Sequence, residues 1–380
     1  MNISFIRCIT IKTFLEPYNC VVMKMVLMRR ALSAVLVALW AAGPATQPQF
    51  SRAIAPRTWS FPRDHGRHDG FKLEWWYFTG NLHDSTGRKL GYQLTFFRSA
   101  FSPGEPSRSS PWGMRDVYFA HAAVSDITGK QFFFKDRLDR ARPGLAFSSD
   151  HTLDVSLLDW SATLDGDTIR LKCAEKEFSI DLQCSGGRGP ILEGPGGVNA
   201  KGREPGEASY YYSMTRLKTT GTLTVNGRKF NVDGLSWMDH EFSSDAMAKS
   251  QIGWDWMGLQ LNDGTDLMIY RMRSKDGASD YLSGTRITPD GQPHYLSGNQ
   301  LSISGSSPWK SPASGAAYPQ KWSVEITGQP KLIVGSEMTG QELITTSSTK
   351  VTYFEGAAKV STDDGKAAGE GYLEMTGYDR

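Results

Sequence analysis

The run LTVNGRKFNVDGLSWMDHEFSS (223–244) decides the fold. Around Asn226-Gly227, Leu223, Val225, Phe230 and Val232 alternate with polar residues. A period of two marks a half-buried strand, and Asn-Gly supplies the positive φ angles that a two-residue hairpin turn requires. Asp263-Gly264 and Asp290-Gly291 sit between similar runs, and apolar periodicity near 3.6 is almost absent. The 39 glycines, with many Thr, Val and Tyr, point the same way. The expected fold is all-β, built from many short antiparallel strands as in a sandwich or barrel.

The second half of the run is chemically unusual. Asp239, His240 and Glu241 stand together inside an apolar stretch, with Trp237 and Met238 before them and Phe242 after. Charged residues are rarely buried unless paired, whereas Trp, Met and Phe usually are buried. On a strand, Trp237, Asp239 and Glu241 face one way and Met238, His240 and Phe242 the other. An acid beside tryptophan in an apolar lumen loses hydration, so its pKa rises and it stays protonated near neutrality. Such a proton donor is what addition to an unactivated double bond requires. The competing reading is that Asp239 or Glu241 caps backbone donors at a barrel mouth.

Three further clusters carry candidate residues. In EWWYFTGNL (74–82), Glu74, Trp76 and Phe78 share one strand face and Trp75, Tyr77 and Thr79 the other, so one aromatic set lines a cavity or packs against a second domain. Ordinary core packing is the alternative. His121 in VYFAHAAVSD (117–126) lies on an apolar face, where a satisfied core histidine competes with a pocket residue. In YYYSMTRL (210–217), Tyr210 and Tyr212 share one face and Tyr211 and Ser213 the other; a tyrosine on a lumen wall can orient a ligand or water, and ordinary strand composition is the alternative. A zinc site needs His121, His240 and a carboxylate to converge, but the histidines are not at ligand spacing. G-x-S-x-G, HExxH, CxxC and a phosphate-binding glycine loop are all absent, so no metal or cofactor is expected.

The first 45 residues differ from the rest. Met28-Arg29-Arg30 precedes the uncharged run ALSAVLVALWAA (31–42), followed by Gly43-Pro44-Ala45. A basic start, a short apolar core and a small-residue end predict a secretory leader over 1–45, and the run falls short of the roughly 20 residues a membrane helix needs. An uncleaved anchor is the alternative. Export to the periplasm or beyond, with no stable membrane span after cleavage, is the expectation. The remaining chain carries 37 basic and 39 acidic residues, a balance without the electrostatic footprint of a nucleic-acid binder. Its two cysteines, Cys173 and Cys184, fall on hairpin strands several residues out of register and are expected to be free thiols.

A weak internal repeat suggests two domains. WYFTGNLHDSTGRKLGYQLTFFR (76–98) and WMGLQLNDGTDLMIYRMR (256–273) both run from Trp through a strand, a polar turn and a strand ending in Arg. The predicted organisation is two similar barrels, 58–247 and 248–380, joined near 245–250. Two Gly/Pro-rich segments interrupt the pattern: 185–209, a linker or functional loop, and 306–322, an ordered loop rich in aromatics.

Taken together, EWWYFTGNL, HAAVSD (121–126), YYYSMTRL and LSWMDHEF resemble the carotenoid 1,2-hydratase family and its AttH-like branch of predicted secreted hydrolases. WKSPASGAAYP (309–319), TYFEGAAKV (352–360) and GEGYLEMTGY (369–378) are similar to that family's C-terminal domain, so the resemblance runs from about Phe61 to Tyr378. It implies two tandem lipocalin-like antiparallel β-barrels, with 185–209 inside the first. The activity it implies is addition of water across the terminal C1–C2 double bond of an acyclic carotenoid. Fungal proteins of similar fold guide cycloadditions in a pocket between the barrels. The catalytic role carries over to Asp239. Glu74, Trp75, Trp76, His121, Tyr211, Trp237, His240 and Glu241 are the candidate pocket residues. The secretory leader departs from a pigment-pathway enzyme and fits the secreted branch. Three functions are therefore weighed: a hydro-lyase acting on an isoprenoid or carotenoid-like ligand, a non-catalytic carrier of such apolar ligands, and a hydrolase in which Asp239 or Glu241 works through His240.

Overall fold

In a computed structural model, residues 49–103, 114–245, 247–278 and 280–379 are described, and they contain strands joined by turns with two single-turn 3-10 helices, Arg63–His65 and Pro195–Gly197. The leader expected over 1–45 lies outside them. No α-helix occurs among the described residues, and no helix there is long and apolar enough to cross a membrane. Asn226 and Gly227 both take positive φ, 48° and 78°, closing the hairpin between Ala208–Val225 and Arg228–Ser243. At the other two turns only Gly264 and Gly291 do so, because those loops are longer.

Two antiparallel sheets result, of thirteen and ten strands. In the first, Leu73–Asp84 lies between Lys89–Ala100 and Arg228–Ser243. In the second, Gln251–Leu261 lies between Asp266–Ser274 and Ala367–Thr376. Each sheet therefore pairs its first strand with both its second and its last, which curls it. One becomes a nearly closed barrel and the other stays an open half-barrel. The chain passes from one sheet to the other between Ser243 and Gln251.

The repeat seen in sequence is a shared hairpin layout, but its tryptophans are not equivalent. Trp76 points into the core of the first sheet with Phe78, Leu94 and Tyr212, whereas Trp256 joins Tyr77, Trp237 and Tyr270 between the sheets. One residue of strand offset exchanges the two faces. The segment 185–209 is ordered, because Pro190–Leu192 and Val198–Ala200 both pair with Ala208–Val225. The segment 306–322 is not a loop but the end of the hairpin Leu301–Lys310/Ala317–Ile326, where Trp309 stacks on Tyr318.

The inner face of the first sheet and that of the second bury separate cores, around Trp160 and Trp322 respectively. The opposite faces of the strands starting at Leu73, Arg228, Gln251 and Thr352 meet in a third apolar cluster. That junction holds the site.

Candidate functional site

Alternation along Arg228–Ser243 sends Met238, His240 and Phe242 to one face of the sheet and Trp237, Asp239 and Glu241 to the other. Asp239 and Glu241 of the second set look into a cavity of about 500 Å³ between the two sheets. Its first wall carries Trp75, Tyr77, Phe97, Tyr211, Asp239 and Glu241, and its second Trp254, Trp256, Tyr270, Tyr353, Glu355 and Glu374. Leu73, Asp245 and Met247 lie exposed at the rim. An apolar cavity with a few convergent polar groups is the usual form of a small-molecule site.

Asp239 is held by three side-chain hydrogen bonds. One oxygen, Oδ1, accepts from Trp237 Nε1 and Ser213 Oγ, each at 2.6 Å, and Oδ2 accepts from the Tyr211 hydroxyl at 2.7 Å. Trp256 Nε1 in turn donates to the Tyr211 oxygen at 3.2 Å, linking the acid to the second sheet. Burial pushes the Asp239 carboxyl up to about 7 against the pull of these three bonds, and the nearby Glu241 charge adds to the rise. Both hydroxyls can turn to serve either a carboxylate or a neutral acid, and only the indole N–H is a fixed donor. Desolvation therefore prevails.

Glu241 differs in a way its sequence position does not reveal. It is buried, and Lys201 reaches in from the Gly-rich segment and pairs with it at 3.1 Å. The Lys201 ammonium also lies 4.5 Å from the Tyr270 ring centre and 5.0 Å from that of Tyr211.

Four of the residues singled out in the sequence stand outside the cavity wall. Trp76 and His240 occupy the other face of the first sheet, stacked on each other at 4.9 Å. His240 bonds Glu74 at 2.9 Å and Tyr212 at 3.1 Å, so it cannot activate water for Asp239 or Glu241. Trp237 shares the Asp239 face but packs beneath the cavity against Trp256. His121 is buried beside the cavity, bonded to Tyr353 of the second sheet at 2.7 Å and to Ser348 in the turn before that strand at 2.9 Å, and burial lowers its pKa to about 4. It is a strut between sheets. Trp75, Tyr211, Asp239 and Glu241 do line the cavity.

Glu74 borders the cavity while its carboxylate points away. It accepts from Arg98 at 3.1 Å and from His68 and His240 at 2.8 and 2.9 Å. Burial alone would raise it, but the Arg98 charge and the two imidazole bonds hold it well below the usual range. His68, Glu74 and His240 offer ligand atoms within 4.8 Å of one another. Yet the remaining His68 nitrogen bonds Asp64 at 3.0 Å, and Arg98 already neutralises Glu74. These donors form a closed ionic network in which a divalent ion would have to displace existing partners, so the donor set does not fit a metal.

Sequence reasoning did not single out Lys201, Trp256, Glu355 or Glu374 as pocket residues, and it named Tyr77 only as part of one aromatic strand face. Lys201 sits in an irregular loop and gave no periodic signal. Glu355 in TYFEGAAKV and Glu374 in GYLEMTGY share with Asp239 the placement of an acid inside an apolar strand, but without its neighbouring His and Glu.

Comparison with known proteins places this architecture. The AttH-like family model matches residues 52–378. The crystal structure of a protein assigned as AttH from Nitrosomonas europaea is similar over 87% of this chain and 100% of its own, at 31% identity and a TM-score of 0.79. Kievitone hydratase from Nectria haematococca shares the fold over 87% of this chain and 98% of its own, at 15% identity and a TM-score of 0.64. CghA in complex with Sch210972 does so over 88% and 97%, at 11% identity and a TM-score of 0.55. No curated protein sequence matches. By the extent of the family match and the identity to the Nitrosomonas protein, the chain belongs to the AttH-like family.

Proposed function

We propose that the protein binds an apolar, isoprenoid or carotenoid-like ligand in the cavity between its sheets and hydrates a C=C bond of it, with Asp239 as the proton donor. The observation that carries this reading is a carboxyl raised to about 7, facing an aromatic cavity and held by Trp237, Ser213 and Tyr211. Protonation of a trisubstituted double bond gives a tertiary carbocation. The faces of Trp75, Trp254 and Trp256 offer it cation–π stabilisation, and water completes the addition. The hydratase name of one fold neighbour is in keeping with this chemistry. Hydrolysis through His240 lacks support, since that ring is committed on the opposite face. Carriage without turnover needs only the apolar walls and the exposed rim residues Leu73 and Met247. We read 58–247 and 248–380 as two lipocalin-like domains behind a leader at 1–45, which puts the reaction in the periplasm or outside the cell.

Asp239→Asn tests the role directly. The amide keeps acceptors for Trp237 and Ser213 and can donate to Tyr211, but it has no acidic proton. With lycopene in detergent micelles as probe, alcohol formation followed by mass spectrometry should fall roughly a hundredfold or more, while folding and probe binding persist. Undiminished turnover would contradict the reading. Bound probe without turnover in the unmodified protein would favour the carrier.

A further inference from the structure

Hydration has two halves, and Asp239 serves only one of them. The water that captures the carbocation must be held near it and must lose a proton. Asp239, having just given one up, lies on the wall from which the double bond was protonated. The second sheet supplies another group. Glu355 and Glu374 face each other across the adjacent strands Thr352–Thr362 and Ala367–Thr376, and both line the cavity. Directly opposed residues of an antiparallel pair have Cβ atoms roughly 4.5–5.5 Å apart, so the two side chains leave the sheet side by side on the cavity face.

Two further observations mark the pair as a water site. Glu355 Oε1 accepts from the Tyr77 hydroxyl at 2.6 Å, whereas Glu355 Oε2 is buried with no hydrogen-bond partner. A buried carboxyl oxygen left open beside a cavity calls for a water or a ligand group. Glu374 keeps part of its surface open to the same space. Tyr77 also stands directly opposite Asp239 on the neighbouring strand, so one phenol ring separates the proton donor from the pair. No lysine or arginine is bonded to either glutamate among the described residues, unlike Glu241 with Lys201 or Glu74 with Arg98.

We infer that Glu355 and Glu374 are a second catalytic pair, which holds the attacking water and accepts its proton. The inference rests on the hydration reading above. Two opposed carboxyls in a poorly hydrated site do not both ionise, so the pair keeps one proton, and its free carboxylate is the base. Burial, followed by the Glu374 charge, raises Glu355, and burial brings Glu374 to about 7, consistent with one shared proton at neutrality. In the protonation step the π electrons of the alkene form a C–H bond as the Asp239 O–H breaks. In the capture step a water lone pair forms the C–O bond, one water O–H breaks, and that proton passes to the carboxylate of the pair. The pair then releases a proton to solvent and Asp239 takes one up, so the net reaction consumes one water and one double bond.

The two halves separate in heavy water. Protonation followed by loss of a different proton leaves deuterium in recovered alkene, whereas capture gives the alcohol. With the full chain and micellar lycopene in D2O, Glu355→Gln and Glu374→Gln should each lower alcohol formation roughly a hundredfold and leave deuterium incorporation within about threefold. Asp239→Asn should lose both. Should a glutamine variant fail to fold, Glu355→Asp and Glu374→Asp keep the carboxyl on a shorter arm and should lower alcohol alone by roughly tenfold. Glutamine variants that make alcohol at the unmodified rate would overturn the pair while hydration by Asp239 stands. An unmodified protein that yields neither alcohol nor deuterium would overturn the hydration reading and the pair with it.

Discussion

At Asp239 burial and hydrogen bonding pull in opposite directions. An unfolded aspartate ionises near its ordinary value of 3.8, while the folded one holds its proton to about 7. Between those values the native state binds more protons than the unfolded state, so this residue lowers stability as pH rises from about 4 to about 7 and adds nothing further above. Asparagine carries no such penalty. Asp239→Asn should therefore be more stable than the unmodified protein at pH 8, by on the order of 4 kcal/mol, with the advantage vanishing toward pH 4. Urea unfolding at the two pH values checks this, and an equal difference at both would mean that Asp239 is ionised in the fold. His121 acts in the opposite direction: burial lowers it to about 4, so its contribution is intact above its unfolded value and is lost as pH falls through about 4.

At the scale of strands, much of the site was legible because a strand's period is two. Asp239 and Glu241 share a face with Trp237, and Tyr211 with Ser213, as the alternation required. What alternation could not show is which face is a cavity and which a packed core. Glu74, Trp76 and His240 look as functional in sequence as Asp239 does, yet Glu74 and His240 belong to the ionic network with Arg98 and Trp76 stacks on His240. Only the pairing of distant strands separates the two cases. Register also governs the cysteines. Cys173 stands opposite Ile180 and Cys184 opposite Ile169, four residues apart along the hairpin, or roughly 13 Å at strand rise. Thiol titration of the denatured, unreduced chain from residue 46 onward should find two free groups, and finding none would contradict this register. Gly80 tests the strand crossing itself. A Cβ there would lie 2.6 Å from both Ser236 Oγ and the Tyr92 ring, and 3.0 Å from the Leu235 carbonyl. Gly80→Ala should cost roughly 1–3 kcal/mol by overpacking, read as a lower denaturation midpoint.

In the molecule as a whole, the two sheets are bolted together around the cavity. His121 bonds Tyr353 and Ser348, Ser125 donates to Gln341 at 2.7 Å, and Asn81 donates to the Gly371 carbonyl at 2.9 Å. None of these contacts was visible in sequence, since each joins residues more than 200 positions apart. Gly91 marks a close approach of the sheets, because a Cβ there would sit 3.1 Å from Ala357 Cβ and 3.4 Å from the Tyr372 hydroxyl. Gly91→Val should therefore wedge the walls apart, lowering stability by roughly 1–3 kcal/mol and weakening binding of an apolar probe with Asp239 chemically unchanged. Unaltered probe affinity would mean that the cavity does not depend on this contact.

The most direct measurement is a crystal structure with an isoprenoid probe such as geranylgeraniol soaked into the unmodified protein. The account predicts density between the two sheets, with a terminal double bond lying against Trp75 or Trp256 and within reach of Asp239 Oδ2 or the Tyr211 hydroxyl. A probe bound elsewhere, or in the cavity with its double bonds turned away from Asp239, would contradict it.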